Sequence, residues 1–216
     1  LTALMIGSEG TLGLVTELTL KLHGIPEATA AGLCSFPTIG DAVDTVTETI
    51  QMALPMARLE FVDAATARAF NAYAGVSMAE APHLLVEFHG TPDGVAEDAA
   101  RFAEIVADHG GSDFQWSALE EERRALWALR HNAYYAVLAS RPGARALVTD
   151  ICVPISRLAQ AVEATQADIA ASPIPGPILG HVGDGNFHAI LMIDPDDPAE
   201  ADAAQRLSRR MAERAI

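Results

Sequence analysis

The stretch Gly180–His188, which reads Gly-His-Val-Gly-Asp-Gly-Asn-Phe-His, constrains the fold more than any other part of the chain. Its Asp184-Gly185 dipeptide is typical of two-residue hairpin turns, and strand-like runs precede and follow it. Such a turn pairs position 181 with position 188, so both histidines leave the same face of two antiparallel strands. The fold must therefore include an antiparallel pair of strands near the carboxyl-terminal end of the chain.

His181 and His188 are a candidate metal site. Side chains opposed across two strands have Cβ atoms about 4.5–5.5 Å apart, and one divalent ion binds ring nitrogens at about 2.0–2.1 Å. Two ligands leave a site incomplete, so a third must come from elsewhere in the protein. The alternative is a tight turn whose histidines pair with each other or with the backbone, and spacing alone does not separate the two.

Strand-like and helical runs alternate along the chain. Apolar residues at three- and four-residue intervals predict helices at 39–52, 64–73, 94–108, 118–139, 155–170 and 199–216. β-propensity and turn residues predict strands at 14–22, 30–36, 57–62, 84–88, 146–153, 176–182 and 187–193. With a hairpin at 184–185, the economical architecture is an α+β fold: a mostly antiparallel sheet with helices packed on one face.

Composition limits the partners and the compartment. Acidic residues outnumber basic ones by 29 to 14, and the resulting net charge of −15 opposes binding to nucleic acid or to an anionic membrane surface. Cys34 and Cys152 form no metal or redox motif, which fits a reducing compartment. The chain shows no run of 18 apolar residues and no basic leader, so we expect a cytoplasmic protein.

The helix predicted at 118–139 carries a candidate substrate clamp. Arg130 and Tyr134 lie four positions apart and would share one helix face, where a guanidinium and a phenol hydroxyl could bind a carboxylate. Arg123 and Trp127 continue the same stripe, however, and an arginine stacked on tryptophan or paired with Glu120 is the structural alternative. Asp150, in the strand predicted at 146–153, receives no catalytic role.

The glycine-rich loop at residues 6–13 has the composition of an anion or cofactor contact. Its glycines let backbone N–H groups approach a ligand, and Ser8 and Thr11 add hydroxyl groups. A connection between two strands has the same composition, so the loop alone decides nothing. Gly24 and Pro26 then mark a domain boundary or linker.

The motifs at Ile6–Glu17 and Gly180–His188 together resemble flavoproteins of the vanillyl-alcohol-oxidase type. Within these the chain is most similar to the FAD-linked D-lactate dehydrogenases, which are related to glycolate oxidase subunits and D-2-hydroxyglutarate dehydrogenases. The segments Arg130–Tyr135, Arg141–Gly143 and Thr149–Arg157 resemble the D-lactate branch in particular. The resemblance covers essentially the whole chain.

The resemblance implies two domains. Residues 1–24 would be the carboxyl-terminal tail of an FAD-binding domain, and residues 25–216 a ferredoxin-like substrate or cap domain that is truncated at its carboxyl-terminal end. The family carries a further metal ligand and a second histidine downstream of the last residue here. We therefore expect a fragment that binds FAD poorly and is inactive alone.

The resemblance also implies roles for individual residues. His181 and His188 would bind zinc or manganese, and Arg130 and Tyr134 would bind the substrate. His188 is also a candidate catalytic base, although a nitrogen that binds metal cannot accept a proton. The residues expected at the FAD are Gly7, Ser8, Glu9, Gly10, Gly13 and Asn186.

The implied reaction is oxidation of a D-2-hydroxy acid, D-lactate to pyruvate, by hydride transfer to FAD with metal-assisted activation of the hydroxyl. Val148 stands where the hydroxyglutarate branch carries a basic residue, which argues against a dicarboxylate. Glycolate oxidation and D-2-hydroxyglutarate oxidation remain alternatives, as does a metal-binding module without flavin chemistry.

The expected partners are the small 2-hydroxy acid and an electron acceptor, which could be a cytochrome, a quinone or another flavoprotein. No nucleic acid is expected, and a homodimer is the candidate assembly. Through its electron acceptor the protein could lie at the inner membrane while remaining cytoplasmic.

Overall fold

The computed structural model describes the backbone of residues 1–216 and every side chain except that of Asp113. The strands are β1 (Ala28–Ser35), β2 (Met56–Val62), β3 (His83–Gly90), β4 (Ser112–Ser117), β5 (Arg145–Val148), β6 (Ile151–Cys152), β7 (Ile178–Gly180) and β8 (Asn186–Ile193). The α-helices are α1 (Thr2–Met5), α2 (Ile39–Gln51), α3 (Ala64–Ala74), α4 (Pro92–Asp108), α5 (Glu120–His131), α6 (Ala133–Ala139), α7 (Leu158–Ala170) and α8 (Pro198–Ala215). Two 3-10 turns cover Ile155–Arg157 and Val182–Asp184.

The strands form one eight-stranded sheet in the order β4-β1-β3-β2-β7-β8-β5, with β6 pairing with β8. All the strand pairs in it are antiparallel. Strands β1 to β4, with α2 and α4 as crossovers, make a unit with the ferredoxin-like strand order. The predicted α+β class and antiparallel sheet are confirmed.

Helices cover both faces of the sheet, whereas the sequence pattern predicts helices on one face only. Successive strand residues point to opposite faces, so Leu84 packs into the cluster formed with α2, α4, α7 and α8. Leu85 packs instead with Phe70, Trp127 and Val137 of α3, α5 and α6. The reason lies in β3 itself, because its run of consecutive buried residues requires cover on both sides.

Four of the predicted helices begin at side-chain caps, the last being α8, where Asp197 accepts a hydrogen bond from the backbone of Ala199. Thr38 and Asp41 form a reciprocal capping box at α2, Asp63 accepts a hydrogen bond from the backbone of Thr66 at α3, and Thr91 caps α4. Each cap satisfies backbone N–H groups that the first turn of a helix leaves without partners. These helices lie within two residues of their predicted bounds at either end.

The helix predicted at 118–139 is two helices. The chain breaks at Asn132, whose φ and ψ of −90° and 6° lie outside the helical region and whose side chain donates to the carbonyl of Ala128. Asparagine favours such breaks because its amide competes with the backbone for hydrogen bonds. Arg130 and Tyr134 consequently belong to different helices.

Strand predictions fail in three places. The strand expected at 146–153 is split into β5 and β6, and β4 falls where no strand is predicted. Residues 14–22 form no strand, because a strand needs a neighbour to pair with and none lies beside them among the described residues. Propensity alone cannot supply that neighbour.

Cys34 and Cys152 are both free, and burial raises the pKa of the Cys34 thiol to about 12. Among the described residues, none of the helices has the length and apolar character needed to cross a bilayer.

Candidate active site

His181 lies in the connection between β7 and β8, which is longer than a two-residue turn, and His188 lies in β8 itself. β7 ends at Gly180, and the backbone N–H groups of Asp184 and Asn186 both donate to the carbonyl of His181. This closes a 3-10 turn, and the register pairs Leu179 with His188. The predicted pairing of positions 181 and 188 is therefore wrong, because His181 already belongs to the turn.

Two glycines permit this connection. A Cβ atom at Gly180 would overlap the backbone of Phe187 on the facing strand. At Gly185 φ is +76°, a left-handed conformation that favours glycine, and a Cβ atom would collide with the carbonyl oxygen of Val153. The close approach of three backbone segments thus fixes the positions from which both histidines project.

The imidazole rings of His181 and His188 lie side by side, with centroids 5.9 Å apart and planes at 88°. His181 Nδ1 is 2.6 Å from Glu60 Oε1, and His188 Nδ1 is 3.1 Å from the carbonyl oxygen of Thr149. Because carboxylate and carbonyl oxygens only accept hydrogen bonds, each Nδ1 carries the proton. In the neutral rings the lone pair is therefore on Nε2.

Arg130 joins the same cluster through Glu60. Its Nε and Nη2 lie 3.0 and 2.9 Å from Glu60 Oε2. The two side chains are only 14% and 9% exposed, so the ion pair is weakly screened by solvent. The pair uses two of the five N–H donors of the guanidinium and leaves its outer end, Nη1 and the second hydrogen of Nη2, out of this contact.

Asp150, which received no role from the sequence, lies beside His188. Its Oδ1 is 3.4 Å from His188 Nδ1 and accepts a 2.7 Å hydrogen bond from Asn186 Nδ2. The Asp150 side chain is 71% exposed, so its attraction for a histidine is solvent-screened and weak. Asn186 is thereby held next to His188.

A cavity of about 560 Å³ opens beside Glu60, Arg130 and His181. Its polar lining consists of Arg58, Glu60, Arg130, His131, His181 and Asp184. Its apolar lining includes Ile50, Leu54, Met56, Leu59 and Trp127. The volume and the mixture of a few polar groups with apolar walls are typical of small-molecule sites.

The donor set fits part of a divalent-metal site. Metal-binding histidines usually bind through one nitrogen and donate the other N–H to a carboxylate or a backbone carbonyl, as His181 and His188 do here. No three His, Cys, Asp or Glu side chains among the described residues group into a complete metal site. The chain thus offers two ligands, and others would have to come from elsewhere.

Of the predicted site residues, Arg130 and His181 are among the described residues that line this cavity, whereas His188, Asn186, Tyr134 and the glycine-rich loop are not. Tyr134 is 40% exposed and packs edge-on against Tyr135. The loop at residues 7–13 forms its own turns, with φ of +78° at both Gly7 and Gly10. The substrate role of Tyr134 and the flavin role of the loop stay predictions.

Glu60 is the site residue that sequence reasoning missed. The sequence contained a signal, because Glu60 is an acid inside a predicted strand and shares a strand face with Val62, and both side chains are buried. A buried acid needs a partner, but its partners Arg130 and His181 follow 70 and 121 positions later. Nothing local to the strand identifies them.

The family model described as FAD linked oxidases, C-terminal domain, matches residues 25–216. The chain belongs to this family. The match covers every strand of the sheet and also includes His181, His188 and Arg130.

Several relatives are similar to this chain over its full length. The probable mitochondrial D-lactate dehydrogenase of Danio rerio is 46% identical over 216 residues, which is 100% of this chain and 44% of that protein. The mitochondrial D-lactate dehydrogenase (cytochrome) of Arabidopsis thaliana is 38% identical over 216 residues, 100% of this chain and 38% of that protein. A glycolate oxidase subunit of Bacillus subtilis is 32% identical over 218 residues, 100% and 46% respectively. The chain spans less than half the length of these relatives.

Solved structures share the fold. Alkyldihydroxyacetonephosphate synthase has a TM-score of 0.68 at 16% identity, with 99% of this chain and 44% of that chain covered. The 4-ethylphenol oxidase from Gulosibacter chungangensis has a TM-score of 0.62 at 16% identity, with 90% and 45% covered. At these identities the likeness concerns the fold alone.

The expected cytoplasmic location is wrong. The relatives from Danio rerio, Arabidopsis thaliana and Saccharomyces cerevisiae are named as mitochondrial. The expectation rested on a missing leader, which is informative only at the start of a complete protein, and this chain covers less than half of those relatives.

Proposed function

We propose that the protein containing this chain is an FAD-dependent oxidoreductase that oxidises a D-2-hydroxy acid, with D-lactate, converted to pyruvate, as the leading substrate. The supporting observation is the cluster of His181, His188 and Arg130, in which both Nε2 lone pairs and the outer end of a guanidinium occur together. The D-lactate dehydrogenases at 46% and 38% identity favour this substrate class. Glycolate is the second candidate, because a glycolate oxidase subunit is 32% identical.

We further propose that residues 1–24 complete an FAD-binding domain and that residues 25–216 form the substrate domain. In the first 25 residues the apolar side chains are largely exposed, namely Leu1, Leu4, Ile6, Leu12, Leu14, Val15, Leu18, Leu20, Leu22 and Ile25. Soluble monomers rarely expose so long an apolar stretch. Packing against the rest of an FAD-binding domain would bury it.

Arg130 would bind the substrate carboxylate through the outer end of its guanidinium. The hydrogen bonds are charge-assisted, and each such bond contributes about 1.5–3 kcal/mol. Apolar side chains of the cavity, such as Leu54 and Leu59, offer a surface for the methyl group of lactate. Because the chain as a whole carries a charge of −15, the partly buried guanidinium of Arg130 is the local positive charge that an anionic substrate needs.

His181 and His188 would hold a divalent metal through Nε2. When bound, the metal would lower the pKa of the substrate hydroxyl, and FAD would supply the acceptor for the hydride of C2. A histidine that binds metal at Nε2 and donates from Nδ1 has no nitrogen left for a proton. We therefore assign His188 to the metal in preference to the general base, which we place outside these 216 residues.

We propose a cytochrome as the electron acceptor, since relatives from Arabidopsis thaliana and Saccharomyces cerevisiae carry that word in their names. A homodimer stays a prediction.

The test is anaerobic flavin bleaching in the full-length protein with D-lactate, L-lactate, glycolate and D-2-hydroxyglutarate. We expect D-lactate to give the highest kcat/KM. A protein that purifies without flavin absorption would favour the metal-binding module, and preferential bleaching by D-2-hydroxyglutarate would overturn the assigned substrate.

A further inference from the structure

We propose that Glu60 is the positioning residue of this site, a single carboxylate that fixes Arg130 for the substrate and His181 for the metal. The inference rests on the proposed function, which supplies both the substrate and the metal. Neither ligand touches Glu60 in this account, so its part is exerted through its two neighbours.

The two carboxylate oxygens of Glu60 contact different side chains. Oε1 is 2.6 Å from His181 Nδ1, while Oε2 accepts from Arg130 Nε and Nη2 at 3.0 and 2.9 Å. The neighbours come from separate elements, since Arg130 belongs to α5 and His181 to the turn after β7. Glu60 is the contact that sets the distance between them.

The strand that carries Glu60 is a rigid support. β2 lies inside the sheet, where Glu60 pairs with Leu85 of β3 and the adjacent Phe61 pairs with Gly180 of β7. Glu60 itself is 7% exposed. A buried side chain on an interior strand holds its contacts more closely than a loop residue can.

For Arg130, the contact selects which edge of the guanidinium faces the ligand. Glu60 occupies the side edge, Nε with Nη2, and so presents the outer end to the cavity that both residues line. An arginine fork matches a carboxylate only in a narrow range of orientations. Without Glu60 the same side chain would be free to rotate.

For His181, the contact fixes which ring nitrogen carries the proton. The carboxylate accepts from Nδ1, so Nε2 keeps the lone pair that a metal requires. Removal of such an outer partner typically weakens metal binding about 10–100-fold.

Glu87 provides a matched comparison. It is 4% exposed, lies on the neighbouring strand β3, and also pairs with one arginine and one histidine, Arg58 at 3.5 Å and His89 at 2.8 Å. Its histidine is not one of the paired imidazoles. Loss of the Glu87 charge therefore reproduces the burial and the partner types without touching His181.

The experiment compares Glu60→Gln with Glu87→Gln in the full-length, metal-stripped protein. A glutamine offers one acceptor oxygen and one NH2 donor, so it can accept hydrogen bonds from only one of the two side chains that face position 60, Arg130 or His181. Titration with Co²⁺, followed by its d–d absorption, measures the metal site independently of turnover. We expect Glu60→Gln to raise the Co²⁺ Kd about 10–100-fold and to raise the KM for D-lactate, and Glu87→Gln to leave the Co²⁺ Kd unchanged.

The outcomes separate this inference from the proposed function. A Glu60→Gln protein that binds Co²⁺ as the wild type does would overturn the positioning role and leave the proposed function standing. A wild-type protein that takes up no Co²⁺ would overturn the metal role of His181 and the inference with it. If the glutamine variant does not fold, Glu60→Asp replaces it in the test, because aspartate keeps the charge but is one methylene too short to make both contacts. Unchanged Co²⁺ affinity in Glu60→Asp would also overturn the positioning role.

Discussion

At the scale of residues, the fold accommodates a buried carboxylate because each of its oxygens has a partner. Glu60 meets Arg130 on one side and His181 on the other. Removing one partner of a buried ion pair typically costs about 3–5 kcal/mol, since the other charge is left uncompensated. Alanine substitution of Arg130 would therefore mix loss of function with loss of fold, and a conservative change is more informative at that position.

Arg130→Lys is the conservative change at the proposed substrate contact. Lysine keeps a positive charge for Glu60 but lacks the planar fork, so we expect the KM for D-lactate to rise about 10–100-fold with little change in the thermal unfolding midpoint. Steady-state kinetics and thermal unfolding of the full-length protein measure both. The control is Arg124→Lys, on the same helix with its side chain 79% exposed. An unchanged KM in Arg130→Lys would remove Arg130 from the substrate site.

The sequence identifies site residues only where a motif or a local pattern marks them. His181 and His188 stand out by their spacing, and the structure brings their rings together even though the predicted register is wrong. Glu60 and Asp150 went unassigned because their contacts are made across the sheet. Tyr134 was placed beside Arg130 on the assumption of one helix, which ends between them.

At the scale of elements, local rules succeed where local groups decide the structure. Helices α2, α3 and α4 begin at capping residues that the sequence displays, and they lie close to their predicted bounds. The β7–β8 connection is decided instead by the approach of Val153 to Gly185, which a segment more than thirty positions away provides. A turn rule applied to Asp184-Gly185 cannot include that contact.

Gly185→Ala tests whether this connection positions the histidines. A left-handed conformation costs a non-glycine residue about 1–2 kcal/mol, and here the new Cβ also collides with the carbonyl of Val153. We expect a lower unfolding midpoint and loss of Co²⁺ binding in the full-length protein. Gly143→Ala is the control, because Gly143 has φ of +83° but open space around it, so only the conformational cost applies. Equal Co²⁺ binding by the two variants would show that the turn does not set the site.

At the scale of the whole molecule, the candidate site lies where two parts of one sheet meet. The ferredoxin-like unit contributes Glu60 from β2, and the β7–β8 pair contributes the histidines. Pairing of Phe61 with Gly180 joins the two parts and brings position 60 next to position 181. Since α5 covers this face of the sheet, it delivers Arg130 to the same place. The site therefore depends on the complete sheet.

The proposed function depends most on one claim, that the imidazoles of His181 and His188 belong to a flavin site that oxidises hydroxy acids. The direct measurement is the rate of anaerobic flavin reduction by D-lactate in the full-length wild type, His181→Ala and His109→Ala. His109 is the control because it also pairs with a glutamate, Glu48 at 2.7 Å, and is not one of the described residues that line the cavity. Loss of several kcal/mol of metal assistance predicts a rate at least about a hundredfold lower in His181→Ala and unchanged in His109→Ala. Equal rates of flavin reduction in all three proteins would contradict the proposed function.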